Sequence, residues 1–125
     1  MNDGEAFEYI KNYFYELFVN KDLGTIDNYL VTNYYDDDIG ETTDNHRKES
    51  KAYLLELFRK DPTINVCVKK VQVQDDVISA YLEWNSKKED EIEVLRKGIA
   101  IFEIVDMKIR KRHTYIYYTN QSKLK

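Results

Sequence analysis

At 125 residues and 15.0 kDa the chain is long enough for one domain with a sizeable core and too short for two. Its 42% hydrophobic and 34% charged residues exclude a disordered chain, and a net charge of −4 argues against nucleic acid, whose phosphates need a basic field. No apolar stretch approaches the ~20 residues that cross a bilayer, and the acidic start Met1-Asn2-Asp3-Gly4-Glu5 has the wrong sign for a secretory signal, so no membrane partner and a cytoplasmic location are expected.

The first element is a helix in which Phe7, Ile10, Phe14, Leu17 and Phe18 recur at helical spacing. Asn2 or Asp3 caps its start, and Asn20, which tolerates a left-handed backbone, ends it. Asp22 caps a shorter second helix with the stripe Leu23, Ile26 and Leu30. Tyr34 to Gly40 reads as a short strand running into an acidic loop. A third helix spans about 45–60 and stops at Asp61-Pro62. Its inward stripe is Ser50, Tyr53, Leu54, Leu57 and Phe58, with His46 one turn earlier.

From Thr63 onward the period changes to two. Ile64, Val66 and Val68 alternate, then the phase slips and resumes at Val71 and Val73, so a bulge near Lys69-Lys70 is expected. The single cysteine, Cys67, excludes an intrachain disulfide and reads as a small core residue in this strand. Gln74-Asp75-Asp76 turns into a strand over 77–85, with Ile78, Ala80, Leu82 and Trp84 on one face. A charged connection over 86–91 leads to a long strand over 92–105, apolar on both faces after Gly98. Asp106-Met107 turns into the last strand, 108–118. Residues 1–119 form the expected domain, and 120–125 a frayed tail. Helices first and strands afterwards make the fold class α+β, with a curved, mainly antiparallel sheet folded over three helices.

This order resembles the nuclear-transport-factor-2-like superfamily, in its SnoaL-like and ketosteroid-isomerase-like branch. The likeness rests on Asn20-Lys21-Asp22-Leu23, on Arg47-Lys48-Glu49 with Ala52-Tyr53, on Asp75-Asp76-Val77 through Trp84, and on Gly98 to Phe102 with Lys108-Ile109. It implies a cone-shaped, cystatin-like roll with a cavity at the open end, and frequent homodimers. It also implies a general base of the steroid-isomerase kind at Asp38 or Asp37. Two departures speak against steroid isomerisation itself: the family's catalytic Tyr aligns onto Phe14, and its oxyanion-binding Asp falls near Ile99.

A carboxylate at Asp38 or Asp37 in an apolar cavity would acquire the raised pKa that proton abstraction beside a carbonyl needs; the alternative is a solvated acidic loop. Alternation along the last strand puts Ile109, Lys111, His113, Tyr115 and Tyr117 on one face, which the resemblance turns into the cavity. His113 is then an acid or base and Lys111 a holder of a carbonyl or anion, or the two form a satisfied interior polar pair. His46, at a helix start, is a neutral available ring or an exposed polar residue. The expected lining comprises Tyr13, Phe14, Tyr29, Tyr34, Leu54, Trp84, Lys111 and Tyr115. Eleven tyrosines suit half-wet pocket walls, although an AT-rich genome would also enrich them.

No metal-ligand spacing, phosphate loop or nucleophile motif occurs, so neither metal nor cofactor is expected. An outward stripe of Ile99, Ile101 and Val105, rimmed by Arg110 and Arg112, needs cover, and a second copy of the sheet is expected to supply it; the alternative is a monomer with the stripe hidden by the C-terminal tail. The reading is therefore a pocket protein for a small apolar or carbonyl-bearing molecule, with isomerase, cyclase or dehydratase chemistry of the SnoaL-like sort. The alternative is a non-catalytic dimeric binding module whose hollow is filled by its own rings.

Overall fold

The computed structural model describes residues 1–120. The elements are α1 (Asp3–Phe14) with a π-helical turn (Tyr15–Val19), α2 (Thr25–Tyr29), β1 (Leu30–Asp36), a 3-10 turn (Gly40–Thr42), α3 (His46–Lys60), β2 (Asn65–Gln74), β3 (Val77–Lys88), β4 (Glu91–Val105) and β5 (Lys108–Thr119). The five strands form one sheet in the order β1-β5-β4-β3-β2. All neighbours are antiparallel except β1 with β5. Three helices on one face of a curved sheet make the expected α+β cone.

Asn2 caps α1 in a capping box with Glu5, which satisfies amide donors that a helix start leaves unpaired. The first helix does not stay α-helical to Asn20. From Tyr15 its bonds widen to the π pattern, Asn20 N–H donating to the Tyr15 carbonyl, and the left-handed residue that ends it is Lys21 rather than Asn20. Asp22 does not cap the second helix directly but folds an Asx turn onto Gly24 N–H, 2.9 Å away. Leu30 leaves that helix and opens β1, and it is fully buried in either role.

Asn45 caps α3, accepting from Lys48 N–H at 3.1 Å, and Leu54 and Phe58 carry its buried face. Tyr53, expected inward, stands exposed. The bulge near Lys69-Lys70 is present, between Val68 and Lys70. Ile64, Val66 and Val71 point inward on either side of it, which turns Cys67 outward, so the cysteine is exposed rather than core. The charged segment 86–91 is no loop: β3 and β4 continue as a polar two-stranded ribbon, turning at Glu89-Asp90. Of residues 86–91 only the polar Ser86 is buried, so no apolar alternation marks the ribbon.

The core centres on Phe14, Ile10, Leu17, Ile78, Leu82, Phe102 and Ile109, all with less than 2% or at most 2% exposure. Phe14 meets Phe102 edge-on, with ring centroids 6.4 Å apart, and this contact ties α1 to the middle of the sheet. Residue 120 hydrogen-bonds to Leu95 of β4; the remainder of the expected frayed tail lies outside the described residues.

Candidate functional site

Beyond Phe14 the helices and sheet diverge around an open hollow of about 650 Å³. Phe14 and Phe18 come from the first helix, Leu54 and Leu57 from α3, Trp84 from β3, and Arg112, Thr114 and Ile116 from β5. The loop after β1 adds Asp36, Asp38 and Ile39.

The β5 residues are not the set that simple alternation selects. Ile109 is fully buried opposite Ile104, but the next paired position is Lys111 with Glu103, so Arg110 is an extra residue. This bulge reverses the parity of the residues from Lys111 to Ile116, after which a second extra residue, Tyr117, restores it. Arg112 now sits opposite inward-facing Phe102, and Thr114 opposite Ala100, while Lys111, His113 and Tyr115 move to the outer face. Arg110 pairs with Glu103 outside.

Arg112 lies over the rings of Phe14 and Phe102, its guanidinium carbon 5.7 and 5.5 Å from their centroids. Its Nε donates to Thr114 Oγ1 at 3.0 Å. The acidic loop supplies the opposite charge by turning alternate residues inward. Asp36 accepts from the Tyr34 hydroxyl at 3.1 Å and from Asp38 N–H at 2.9 Å. Its own N–H donates to His46 Nδ1 at 2.8 Å, so the ring hydrogen sits on Nε2, which donates to the Thr43 carbonyl at 3.1 Å. His46 is therefore neither exposed nor available. It is 3% exposed, stacks on Tyr35 and fixes the loop.

Asp38 carries its proton above the ordinary carboxylate range, first because it is partly desolvated and next because Asp36 is near, with Arg112 opposing. Behind the wall, burial pushes the Tyr13 phenol up to about 12 and holds Tyr34 well above a free phenol. Both remain neutral at any physiological pH. At the mouth Arg96 lies over Trp84, 4.7 Å from the ring centroid, and reaches the Tyr53 hydroxyl at 3.5 Å.

Of the residues expected here, Asp38, Phe14, Leu54 and Trp84 line the hollow together. Tyr13 and Tyr34 are buried behind it, and Tyr29 packs on Tyr9 and Tyr13 away from it. Asp37, Lys111, His113 and Tyr115 do not line it. Asp37 points outward, its carboxylate 3.0 Å from His113 Nδ1 and 3.8 Å from Lys111 Nζ. Arg112, expected on the outer rim with Arg110, faces inward instead. Among the lining residues that sequence reasoning missed are Asp36, Glu49, Arg96, Arg112 and Thr114. A signal existed: Ile109 and Ile116 have opposite parity, and both can face the interior only if a residue is inserted between them.

Among the described residues no cluster of three or more His, Cys, Asp or Glu is placed to hold a metal ion, and no helix is long and apolar enough to cross a membrane.

By sequence, no family model and no curated protein matches this chain. By structure it is similar to IdmH from Streptomyces antibioticus, described as a candidate polyketide cyclase, at 13% identity over 94% of this chain and 96% of that one, with a TM-score of 0.71. A candidate SnoaL-like polyketide cyclase from Jannaschia Sp. CCS1 superposes at TM-score 0.68 and 12% identity, covering 92% and 87%. A candidate polyketide cyclase from Bacillus cereus ATCC 10987 does so at 0.70 and 17%, covering 84% and 70%. With the helices inside one curved sheet and the hollow beyond Phe14, the chain has the nuclear-transport-factor-2-like fold that these structures share.

Proposed function

We propose that the hollow binds a small, largely apolar, carbonyl-bearing molecule and that Asp38 moves a proton on it. The observation that carries this reading is that Asp38, a carboxyl with raised proton affinity, and the guanidinium of Arg112, which lies over two rings, line one hollow with Phe14, Phe18, Leu54, Leu57, Trp84 and Ile116. A carbonyl oxygen turned toward Arg112 leaves the adjacent C–H for Asp38. The Asp38 carboxylate takes that proton, and the electron pair of the C–H bond moves onto the oxygen as an enolate beside the guanidinium. Returning the proton at another carbon gives isomerisation, and attack of the enolate carbon on a second carbonyl gives ring closure. Candidate polyketide cyclases among the structural neighbours make the second outcome a natural one to test.

The test is deuterium exchange at the α-carbon of 2-tetralone in D2O, followed by NMR. The protein should accelerate it, Asp38→Asn should remove about 10²-fold or more of the acceleration, and Arg112→Gln a comparable part. Exchange no faster than in buffer sinks the proton-transfer reading. Binding without exchange would leave a non-catalytic pocket, the alternative reading.

A second copy of the chain is the partner this reading gives the outer sheet face. Ile99 and Ile101 stand half-buried there beside Tyr115 and His113, and the flanking charges Asp37 with Lys111, and Glu103 with Arg110, are already paired. That leaves an apolar centre with a neutralised border, which suits a twofold contact. A cytoplasmic location accompanies this proposal.

A further inference from the structure

We infer that the hollow is built for a flat ligand presenting a two-oxygen anionic edge, a carboxylate or an enolised 1,3-dicarbonyl, seated on Arg112. The inference rests on the pocket reading above and names the chemistry of the ligand's polar end.

The arginines of this chain fall into two groups. Arg47, Arg59 and Arg110 each reach a carboxylate, on Asp27, Glu56 and Glu103. Arg96 and Arg112, the two that line the hollow, make no ion pair among the described residues. Both are partly buried, and both lie over aromatic rings. For Arg112 the omission is not for want of nearby acids, because Asp36, Asp38 and Glu49 line the same hollow. Asp36 is committed to the Tyr34 hydroxyl and the Asp38 amide, and neither Asp38 nor Glu49 comes within ion-pair distance of the guanidinium.

A partly buried guanidinium with no carboxylate in ion-pair contact carries a desolvation cost that ring contacts offset only in part. Thr114 takes the Nε hydrogen and fixes the plane, leaving the two terminal nitrogens for an incoming group. Their spacing fits two oxygens on one carbon skeleton, the geometry in which arginine binds carboxylates most strongly. The rest of the hollow sets the body of the ligand. Phe18, Leu54, Leu57, Trp84 and Ile116 offer rings and aliphatic surface. Arg112 stands opposite Phe102 on β4, and Arg96 lies six positions back along that strand, so the wall runs roughly 20 Å at about 3.3 Å per residue. Two or three fused rings fit that length.

Trp84 is the only tryptophan in the chain and lines the hollow, so its fluorescence reports occupancy. The experiment titrates the protein with 2-naphthoate, with its neutral isostere 2-naphthamide, and with the cation 2-naphthylmethylammonium. Expected is a naphthoate affinity at least tenfold above that of the amide, falling at least tenfold in Arg112→Gln while amide binding stays within about twofold. Arg112→Lys, which keeps charge but loses the fork, should fall between. If the wild-type protein binds amide or ammonium as well as naphthoate, the anionic seat is wrong although the hollow still takes ligands. If none of the three quenches Trp84, the pocket reading falls with it. The wild-type comparison needs no variant to fold.

Discussion

Asp37 Oδ2 lies 3.0 Å from His113 Nδ1 on the outer face of the sheet, while the residues on either side of Asp37 look into the hollow. Asp37 N–H also donates to the Arg112 carbonyl at 3.0 Å. One residue thus ties the acidic loop to β5 from outside and holds Asp36 and Asp38 against the inner wall. In His113→Ala the Asp37 and Ile39 amides should exchange with solvent several-fold faster, with β3 and β4 amides unchanged. The pair is half-exposed, so the stability loss should stay below about 1 kcal/mol. Unaltered exchange at Asp37 would mean that the side-chain pair holds nothing in place.

Asp38 gives a pH signature of known sign. Its proton is bound more tightly in the folded chain than in the unfolded one. Well below the ordinary carboxylate range both states are protonated and the group has no effect on stability. As pH rises through the raised folded value, the native state gives up a proton it favours, and stability drops relative to an uncharged side chain. Asp38→Asn should therefore stabilise the protein at neutral pH by a few tenths of a kcal/mol, screening at this solvent-facing group keeping the gain small, and change nothing near about pH 3. Equal melting temperatures of the two proteins at both pH values would refute the shift.

Gly98 is where β4 bends under Trp84 and Ile116. A Cβ there would lie 2.6 Å from the Tyr115 carbonyl oxygen and 2.9 Å from Ile116 Cδ1. The first neighbour is backbone and cannot swing away, so Gly98→Ala should cost about 1–3 kcal/mol in denaturant unfolding and distort the wall beside Trp84. A variant as stable as the parent would show that the two strands separate freely at this point.

Phe102 is fully buried and supports both Phe14 and the Arg112 guanidinium. Phe102→Leu, which keeps most of the volume but no ring face, should lower naphthoate affinity more than amide affinity, read from Trp84 quenching. Equal losses for the two probes would assign Phe102 to packing alone.

The proposed dimer is checked by sedimentation. The parent should run at twice 15.0 kDa, and Ile101→Asp, which places a charge amid the half-buried outer stripe, should run as a monomer with its fold intact by circular dichroism. A monomeric parent at micromolar concentration removes the proposal.

Element types were legible because burial writes its period into the chain: the α1 stripe, the slip at Lys69-Lys70 and the turns at Asp75-Asp76 and Asp106-Met107 all lie where sequence alone puts them. The site was legible only in part. Asp38, Phe14, Leu54 and Trp84 precede or avoid the irregular stretch of β5, whereas Lys111, His113 and Tyr115 follow it and were placed on the wrong side. A bulge in a charged strand leaves little local trace, since Lys108, Arg110, Lys111 and Arg112 offer no apolar beat to show the skipped step. His46 was missed for a different reason. Its burial depends on the β1 loop folding back over the start of α3, a tertiary contact that no local pattern encodes.

The extra residue at Arg110 gives this architecture a coarse control that substitution lacks. Straightening the strand there with Arg110 retained would reverse the facing of Lys111 through Ile116, bringing an imidazole, an ammonium and a phenol into the chamber and expelling the guanidinium and its threonine tether, whereas excising Arg110 would keep the present facing. Among chains sharing this fold, the presence or absence of a bulge between the β4–β5 turn and the chamber wall would then sort chemistries more sharply than residue identity does, because a one-residue slip in pairing exchanges a whole catalytic alphabet at once.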